Sequence, residues 1–361
     1  MTPFRRVPPE APRTRFSARY DRFADAFGAD RIVGRWELAR ALDAPPRVPW
    51  TAVPHAVGDL PADLSFVTST SHGIVVWADG RPRMLSPGRH FGLTLRDGRL
   101  YAFQITGRHG RIVSFPLGPD HVPEPGGGWR MVTHLYGLSR WVHQIDFVDD
   151  ELVVVDTLRN RLLCYPDVDR RSGRHWSTAH RTVQLTPADR KGRASPHYRH
   201  FNSVHRHGDT IYVVAHNHSA GTGRKSDVWL LDEEFRLREI VPAGGMCCHN
   251  VVIHERGMLV CRSVEQTVAL NGVDLLTTEG FGRGLAYDGR HLLVGASLFA
   301  EEYADRDHDD GFVDVYSADF TLLGRVVFPR SSIRDIRLLA GDRGLSNHSR
   351  KEAGPNGRDH V

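Results

Sequence analysis

One recurring stretch constrains this chain more than any other feature: a histidine, an apolar strand, a tight turn and a second apolar strand. The clearest copy is His143-Gln-Ile-Asp-Phe-Val148, which turns at Asp149-Asp150 into Glu151-Leu-Val-Val-Val-Asp156. His200-Phe-Asn-Ser-Val-His205 and His249-Asn-Val-Val-Ile-His254 lead into strands of the same kind, and His90-Phe-Gly-Leu-Thr-Leu95 is an earlier copy. Two later copies start with arginine instead, at Arg283-Gly-Leu-Ala-Tyr287 and Arg334-Asp-Ile-Arg-Leu-Leu339. A repeat of roughly 45 to 50 residues with about four strands per unit is what a β-propeller blade requires, because one blade cannot bury its own faces and needs neighbours.

Outer strands are visible in the better copies. Asp227-Val-Trp-Leu-Leu231 and Gly311-Phe-Val-Asp-Val-Tyr316 are each followed by an acidic turn ending in phenylalanine, Asp232-Glu-Glu-Phe235 and Ala318-Asp-Phe320, and another strand, and Arg159 to Tyr165 fills the same place after His143. The run Leu64 to Leu85 reads as three outer strands lacking an innermost partner, and Arg334 to Leu339 reads as an innermost strand with nothing after it. Joining them closes the ring and removes two exposed edges. The expectation is an all-β fold, a six-bladed β-propeller over residues 61–341, although divergent blades would also allow five or seven. Residues 1–60 read as an N-terminal arm or cap with helical character over Tyr20 to Leu42, and residues 342–361, rich in Gly, Asn, Arg and Lys, as a disordered tail.

First strands of a propeller all start at one end of the central channel. That register brings His90, His143, His200 and His249 together from positions far apart in the chain, and converging imidazoles suit a transition metal. Iron or copper is the expected ion, with zinc or manganese as further choices. Open coordination positions would then admit a substrate or dioxygen. Asp146, Asn202 and Asn250 stand close enough in sequence to orient those rings. The plainer reading is that each histidine is a strand-end residue bonded to a carbonyl, and that the acidic and amide residues form turns.

The segment after a blade's second strand returns to the same end. His216 and His218, in Ala215 to Gly223, are therefore candidate acid/base groups or alternative ligands, or else solvated loop residues. The acidic stretch Ser297 to Asp310 takes the same place in another blade and reads as solvated surface. Arg283 and Arg334 would face the mouth and grip a carboxylate or phosphate bidentately, unless they pair with an acid such as Asp335. Cys248, beside His249, is a soft ligand, a reactive thiol or a buried apolar residue. Gly126 to Gly128 lacks the strand and helix context of a phosphate loop and reads as a linker.

The 21 histidines are the unusual count in the composition. A net charge of +4, carried by arginines dispersed among acids, points away from nucleic acid. Four cysteines are too few for a secreted disulfide framework. No apolar run approaches a membrane span, and no secretory segment is visible near Met1, so the expected compartment is the cytoplasm and no membrane partner is expected.

Across residues 60–340 the blade pattern resembles six-bladed propellers of the strictosidine-synthase, SMP-30 and NHL type. Calcium-dependent members of that group carry Glu, Asn and Asp in the central ring, and His and Arg here argue against lactonase chemistry. The strand starts at His143 and His200, with His90 and His249, also resemble those of carotenoid cleavage oxygenases, whose iron sits on four histidines. This chain is shorter, has six blades by count rather than seven, and shows no evident set of supporting glutamates. The resemblance implies a metal-oxygenase style of site more than a carotenoid substrate. The functional expectation is a metal-dependent oxidoreductase acting on a small anionic molecule, with a metal-assisted lyase or hydrolase, or a non-catalytic binding propeller, as alternatives.

Overall fold

The computed structural model describes residues 53–118, 131–170, 178–187, 195–298 and 309–339. The expected helical arm over Tyr20 to Leu42, the Gly126 to Gly128 linker, most of the acidic stretch and the tail 342–361 lie outside them.

Six antiparallel sheets surround an axis. A first strand, β1 (His55–Gly58), is followed by β2 (Phe66–Thr70), β3 (Gly73–Ala78) and β4 (Arg81–Pro87). The second blade is β5 (His90–Arg96), β6 (Arg99–Thr106), β7 (His109–Pro116) and β8 (Val132–Ser139), and the third is β9 (Val142–Val148), β10 (Glu151–Asp156), β11 (Arg161–Pro166) and β12 (Arg181–Gln184). The fourth is β13 (Phe201–His207), β14 (Thr210–Ala215), β15 (Asp227–Leu231) and β16 (Leu237–Pro242). The fifth is β17 (His249–His254), β18 (Gly257–Arg262), β19 (Thr267–Leu270) and β20 (Val273–Thr277), and the sixth is β21 (Phe281–Tyr287), β22 (His291–Ser297), β23 (Gly311–Ser317) and β24 (Leu322–Phe328). The last strand, β25 (Ile333–Leu338), pairs with β2 and becomes the innermost strand of the first blade, Phe66 opposite Leu338 and Ser69 opposite Asp335.

Residues 55–58, expected as part of the arm, instead add β1 to the outer edge of the sixth blade beside β24. Among the described residues helix is limited to single turns such as Ser219–Thr222, and no helix is long and apolar enough to cross a membrane.

Alternation along each strand sends side chains to both sheet faces, and both are buried because each blade is covered by the next. Six apolar clusters result, one in each gap between blades. Val153, Val155 and Leu162 of the third blade meet Phe201, Val213 and Trp229 of the fourth, for example, and Phe66, Val75 and Trp77 of the first meet Leu293, Val313 and Phe328 of the sixth. Where β5 and β9 approach at the narrow centre, residue 92 must be glycine, since a Cβ there would lie 2.5 Å from the Cα of Gln144.

Every first strand is bulged near its start. One extra residue interrupts the pairing at Gly92, at His143 and Gln144, at Asn202, at Asn250, at Arg283 and at Arg334. A bulge re-aims the side chains beside it, and here it turns amides and a carboxylate across the axis. Gln144 Nε2 donates to Asn250 Oδ1 at 3.1 Å, and Gln144 Oε1 accepts the Val204 amide at 2.6 Å. Asn250 Nδ2 donates to Asp335 Oδ1 at 3.2 Å. Asp335 also accepts the Leu93 amide at 2.8 Å, the Ile336 amide at 3.0 Å and Arg337 Nη1 at 2.7 Å. Alternate blades are thus tied together by a polar plug.

His90 belongs to this scaffold. Its Nδ1 faces the Gly88 carbonyl at 3.1 Å and its Nε2 the Ser86 hydroxyl at 3.3 Å, and the residue is fully buried. A carbonyl can only accept, so Nδ1 carries the proton and Nε2 takes the serine hydrogen. Burial, helped by the charges of Arg111 and Arg334, pushes its pKa down to about 3.

Two outcomes follow for stability. Asp335→Ala leaves the Leu93 and Ile336 amides and Arg337 without their acceptor, and should cost about 3–5 kcal/mol in urea unfolding; a loss below about 1 kcal/mol would remove the plug from the list of stabilising features. His90 is neutral when folded but binds a proton in the unfolded chain below about pH 6.5, so its contribution is complete above that pH and is lost as pH falls toward 3. The slope approaches about 1.4 kcal/mol per pH unit. His90→Asn should flatten the fall in stability between about pH 6.5 and 5, and an unchanged slope would contradict the buried neutral ring.

Candidate functional site

The starts of the first strands form one mouth of the channel, and the residues there make a continuous belt of rings. Arg334 lies over Phe91 at 4.4 Å; Phe91 neighbours His143 at 6.0 Å; His143 neighbours His200 at 4.9 Å. His200 stacks on His216 at 4.5 Å, His216 meets His249 at 5.5 Å, His249 meets Phe281 at 5.4 Å, and Arg283 covers Phe281 at 5.1 Å. All six blades contribute to this arc.

Three of the four histidines expected to converge are therefore neighbours, namely His143, His200 and His249. The fourth place is taken by His216, which follows β14, and His90 is turned into its own blade. Bulge register makes the leading residues inequivalent, and a left-handed backbone at His200 (φ 53°), absent at His90, separates the two that share a register. Counting back from the first regular pair after each bulge, Arg283 and Arg334 stand one residue away, His143 and His249 two, and His90 and His200 three. The six leading residues are not equivalent, as a simple repeat alignment implies. Among the described residues no group of three or more His, Cys, Asp or Glu side chains is arranged to hold a metal ion.

The residues expected to orient the rings do other work. Asn202 Nδ2 donates to the Cys248 carbonyl at 2.8 Å, and Asn250 belongs to the plug. Asp146 accepts the Thr94 hydroxyl at 2.6 Å and the Phe147 amide at 2.9 Å, and lines a cavity at the other end of the channel. The rings are instead steadied from two residues upstream: Nδ1 of His143 faces the Trp141 carbonyl at 3.2 Å, Nδ1 of His249 the Cys247 carbonyl at 2.7 Å, and Nδ1 of His200 the Tyr198 hydroxyl at 2.9 Å. The carbonyl acceptors place a proton on Nδ1 of both His143 and His249, with the lone pair on Nε2 of the neutral ring of His249. Tyr198 also meets the ring of His218 at 5.7 Å.

Backbone strain gathers at this mouth. His200, Asn217, His218, Cys247 and Asn250 all have φ between 48° and 57°, a left-handed conformation that costs a non-glycine residue of order 1–3 kcal/mol. The loop bearing His216 and His218 is pinned by Asn217 Nδ2, which donates to the Lys225 carbonyl and to Asp227, both at 2.7 Å.

Electrostatically the mouth combines two guanidiniums with a cluster of imidazoles, of which His216 and His249 are held toward the neutral form. Burial, then the charges of His143, His218 and Arg283, push the pKa of His216 down to about 3. Burial and Arg283 hold His249 well below the usual histidine value. His216 is only 8% exposed, and its Nδ1 has no hydrogen-bond partner. The adjacent thiols are inert by comparison: Cys247 and Cys248 are both buried and unbridged, and burial pushes Cys248 up to about 12.

Phe91, Phe281, Tyr198 and the role of His216 in the belt were not evident from the repeat. The aromatic residues carry a weak signal, since each sits within two residues of a leading histidine or arginine.

No family model and no curated protein matches the chain. Solved structures do resemble it in backbone. The nidogen/laminin complex shares 8% identity over 77% of this chain and 98% of that one, with a TM-score of 0.50. TolB from Acinetobacter baumannii shares 8% identity over 78% and 68%, with a TM-score of 0.48. The PQQ-bound aldose sugar dehydrogenase from Streptomyces coelicolor shares 14% identity over 79% and 100%, with a TM-score of 0.43. At such identities the likeness is one of fold, and the fold of this chain is a six-bladed β-propeller.

Proposed function

We propose that the histidine mouth is the functional centre, where Arg283 and Arg334 hold a small anionic molecule against the imidazoles of His143, His200, His216 and His249. The observation that carries this reading is the belt itself, which places a guanidinium at either end of four imidazoles, two of them, His216 and His249, held toward the neutral form. Guanidinium groups grip carboxylate or phosphate oxygens, and a neutral imidazole offers either a proton or a lone pair to what is held there. With a bound substrate the chemistry is acid/base, as in a lyase or hydrolase, and His216 is the ring with an uncommitted buried nitrogen.

A bound anion favours the imidazolium form and raises the depressed pKa values of His216 and His249. The complex then binds more protons than the free protein, so affinity should rise as pH falls from about 7 to 5, with measurable proton uptake. Calorimetric titration with oxalate and inorganic phosphate in buffers of different ionisation enthalpy reads both. Arg283→Gln should weaken binding at least about tenfold, or about 1.4 kcal/mol. Affinity that is independent of pH, or undiminished in Arg283→Gln, would rule this site out.

A metal-dependent oxidoreductase is the second reading, with iron or copper on His143, His200 and His249 and with His216 in place of His90. Its support is the anchoring of Nδ1 on carbonyls at His143 and His249, the arrangement that metal-ligating histidines use to present Nε2. The side chains as they stand do not form a ligand set. Elemental analysis of untagged protein is the check: near-stoichiometric iron or copper that disappears in His143→Ala and His249→Ala supports a metal, and metal-free protein in all three leaves the acid/base reading alone.

A further inference from the structure

The opposite mouth of the channel is a cavity of ≈ 860 Å³ whose inner end is formed by Gln144 and Asn250 of the plug. Its volume is in the usual range for small-molecule sites, about 300–1,000 Å³. None of the belt residues lines it, so it is a separate site.

Its lining limits what can enter. The charges at its rim already have fixed counterparts: Arg206 pairs with Asp149 and with Glu233, Arg290 with Asp63 at 3.3 Å, Glu255 with the Tyr287 hydroxyl, and Asp288 with the amides of Arg290 and His291. Deeper in, the Arg337 guanidinium is engaged by Asp335. An anionic ligand would have to displace the acids from these arginines, and a cation would meet carboxylates already hydrogen-bonded at Glu255, Asp288 and Asp146. What remains is suited to hydroxyl groups: the Asp146 carboxylate accepts from Thr94, and His205 is a neutral ring, because loss of water around it, with Arg337 and His207 nearby, pushes its pKa down to about 3. Val204, Val252 and Leu338 supply apolar surface between these polar groups.

We infer that this cavity is a second binding site, for a neutral polyhydroxylated molecule of sugar size. Asp146 accepts ligand hydroxyls, His205 offers one donor and one acceptor, and the apolar ledge covers a C–H face. The site needs no metal and does not depend on the chemistry at the histidine mouth.

Calorimetric titration of the full chain with glucose and maltose, with glucose 6-phosphate and methylamine as charged comparators, tests this. A neutral sugar should bind, and more tightly than either charged comparator. Asp146→Asn should weaken it at least about tenfold through loss of a charged acceptor, and Leu338→Trp, which fills the recess, should do the same while thermal unfolding shows both variants folded. Arg283→Gln, at the other mouth, should leave sugar affinity unchanged. Absence of binding by both sugars, tighter binding of a charged comparator, or equal affinity in folded Leu338→Trp would each overturn the proposal. A loss of sugar binding in Arg283→Gln would also overturn it, by placing the sugar at the histidine mouth.

Discussion

A propeller closes its sheets around an axis but leaves six innermost strands with one unpaired edge each, facing that axis. This chain meets that constraint with side chains. The Val204 and Leu93 amides, each on a free inner edge, are satisfied by Gln144 and Asp335 from other blades, and the Cys248 carbonyl by Asn202. An uncapped buried amide costs about 1–3 kcal/mol, so these few residues decide whether the centre is stable. The bulges are the means: a strand of regular pleat would send Gln144 and Asn250 into the gaps between blades, where the apolar clusters lie.

The same bulges shape the histidine mouth. A charged imidazole 5 Å from another would be opposed by about 3 kcal/mol at an effective dielectric constant near 20, and Arg283 and Arg334 add to the opposition. The arc therefore holds His216 and His249 neutral, by burial first and by like charge second. The left-handed backbone at His200, His218 and Cys247 in this arc persists only because the contacts around it hold it.

Blade number and the location of a histidine-rich mouth were legible in the sequence because both follow from a repeat, and a repeat survives divergence better than individual contacts do. His143, His200 and His249 were found by that route, and His216 by the length of its loop. Register was not legible. A bulge adds one residue without altering the hydrophobic pattern around it, so His90 and His143 read as equivalent when they are one position apart; and His200, which shares the register of His90, reaches the belt from a left-handed backbone that the sequence does not announce. Asp146 shows a simpler geometrical limit. It follows His143 by three residues, and at about 3.3 Å per residue that is roughly 10 Å along the channel, enough to carry it past the plug to the other cavity. Phe91 and Phe281 escaped notice because aromatic residues beside a strand start are ordinary core material in sequence.

The plug makes the two mouths mechanically related and chemically separate. Gln144 and Asn250 each contribute to the cavity at the far mouth while standing one residue from His143 and His249, so a ligand that reorients either amide must move the strand start that carries a belt ring. Asp335 couples them further, since its carboxylate is held by Asn250 on one side and by Arg337, at the cavity, on the other. Burial raises the pKa of this carboxyl while Arg337 and the Leu93 and Ile336 amides lower it. Loss of a single donor therefore shifts the balance further toward the protonated acid, which weakens the bond that Asn250 Nδ2 donates to it.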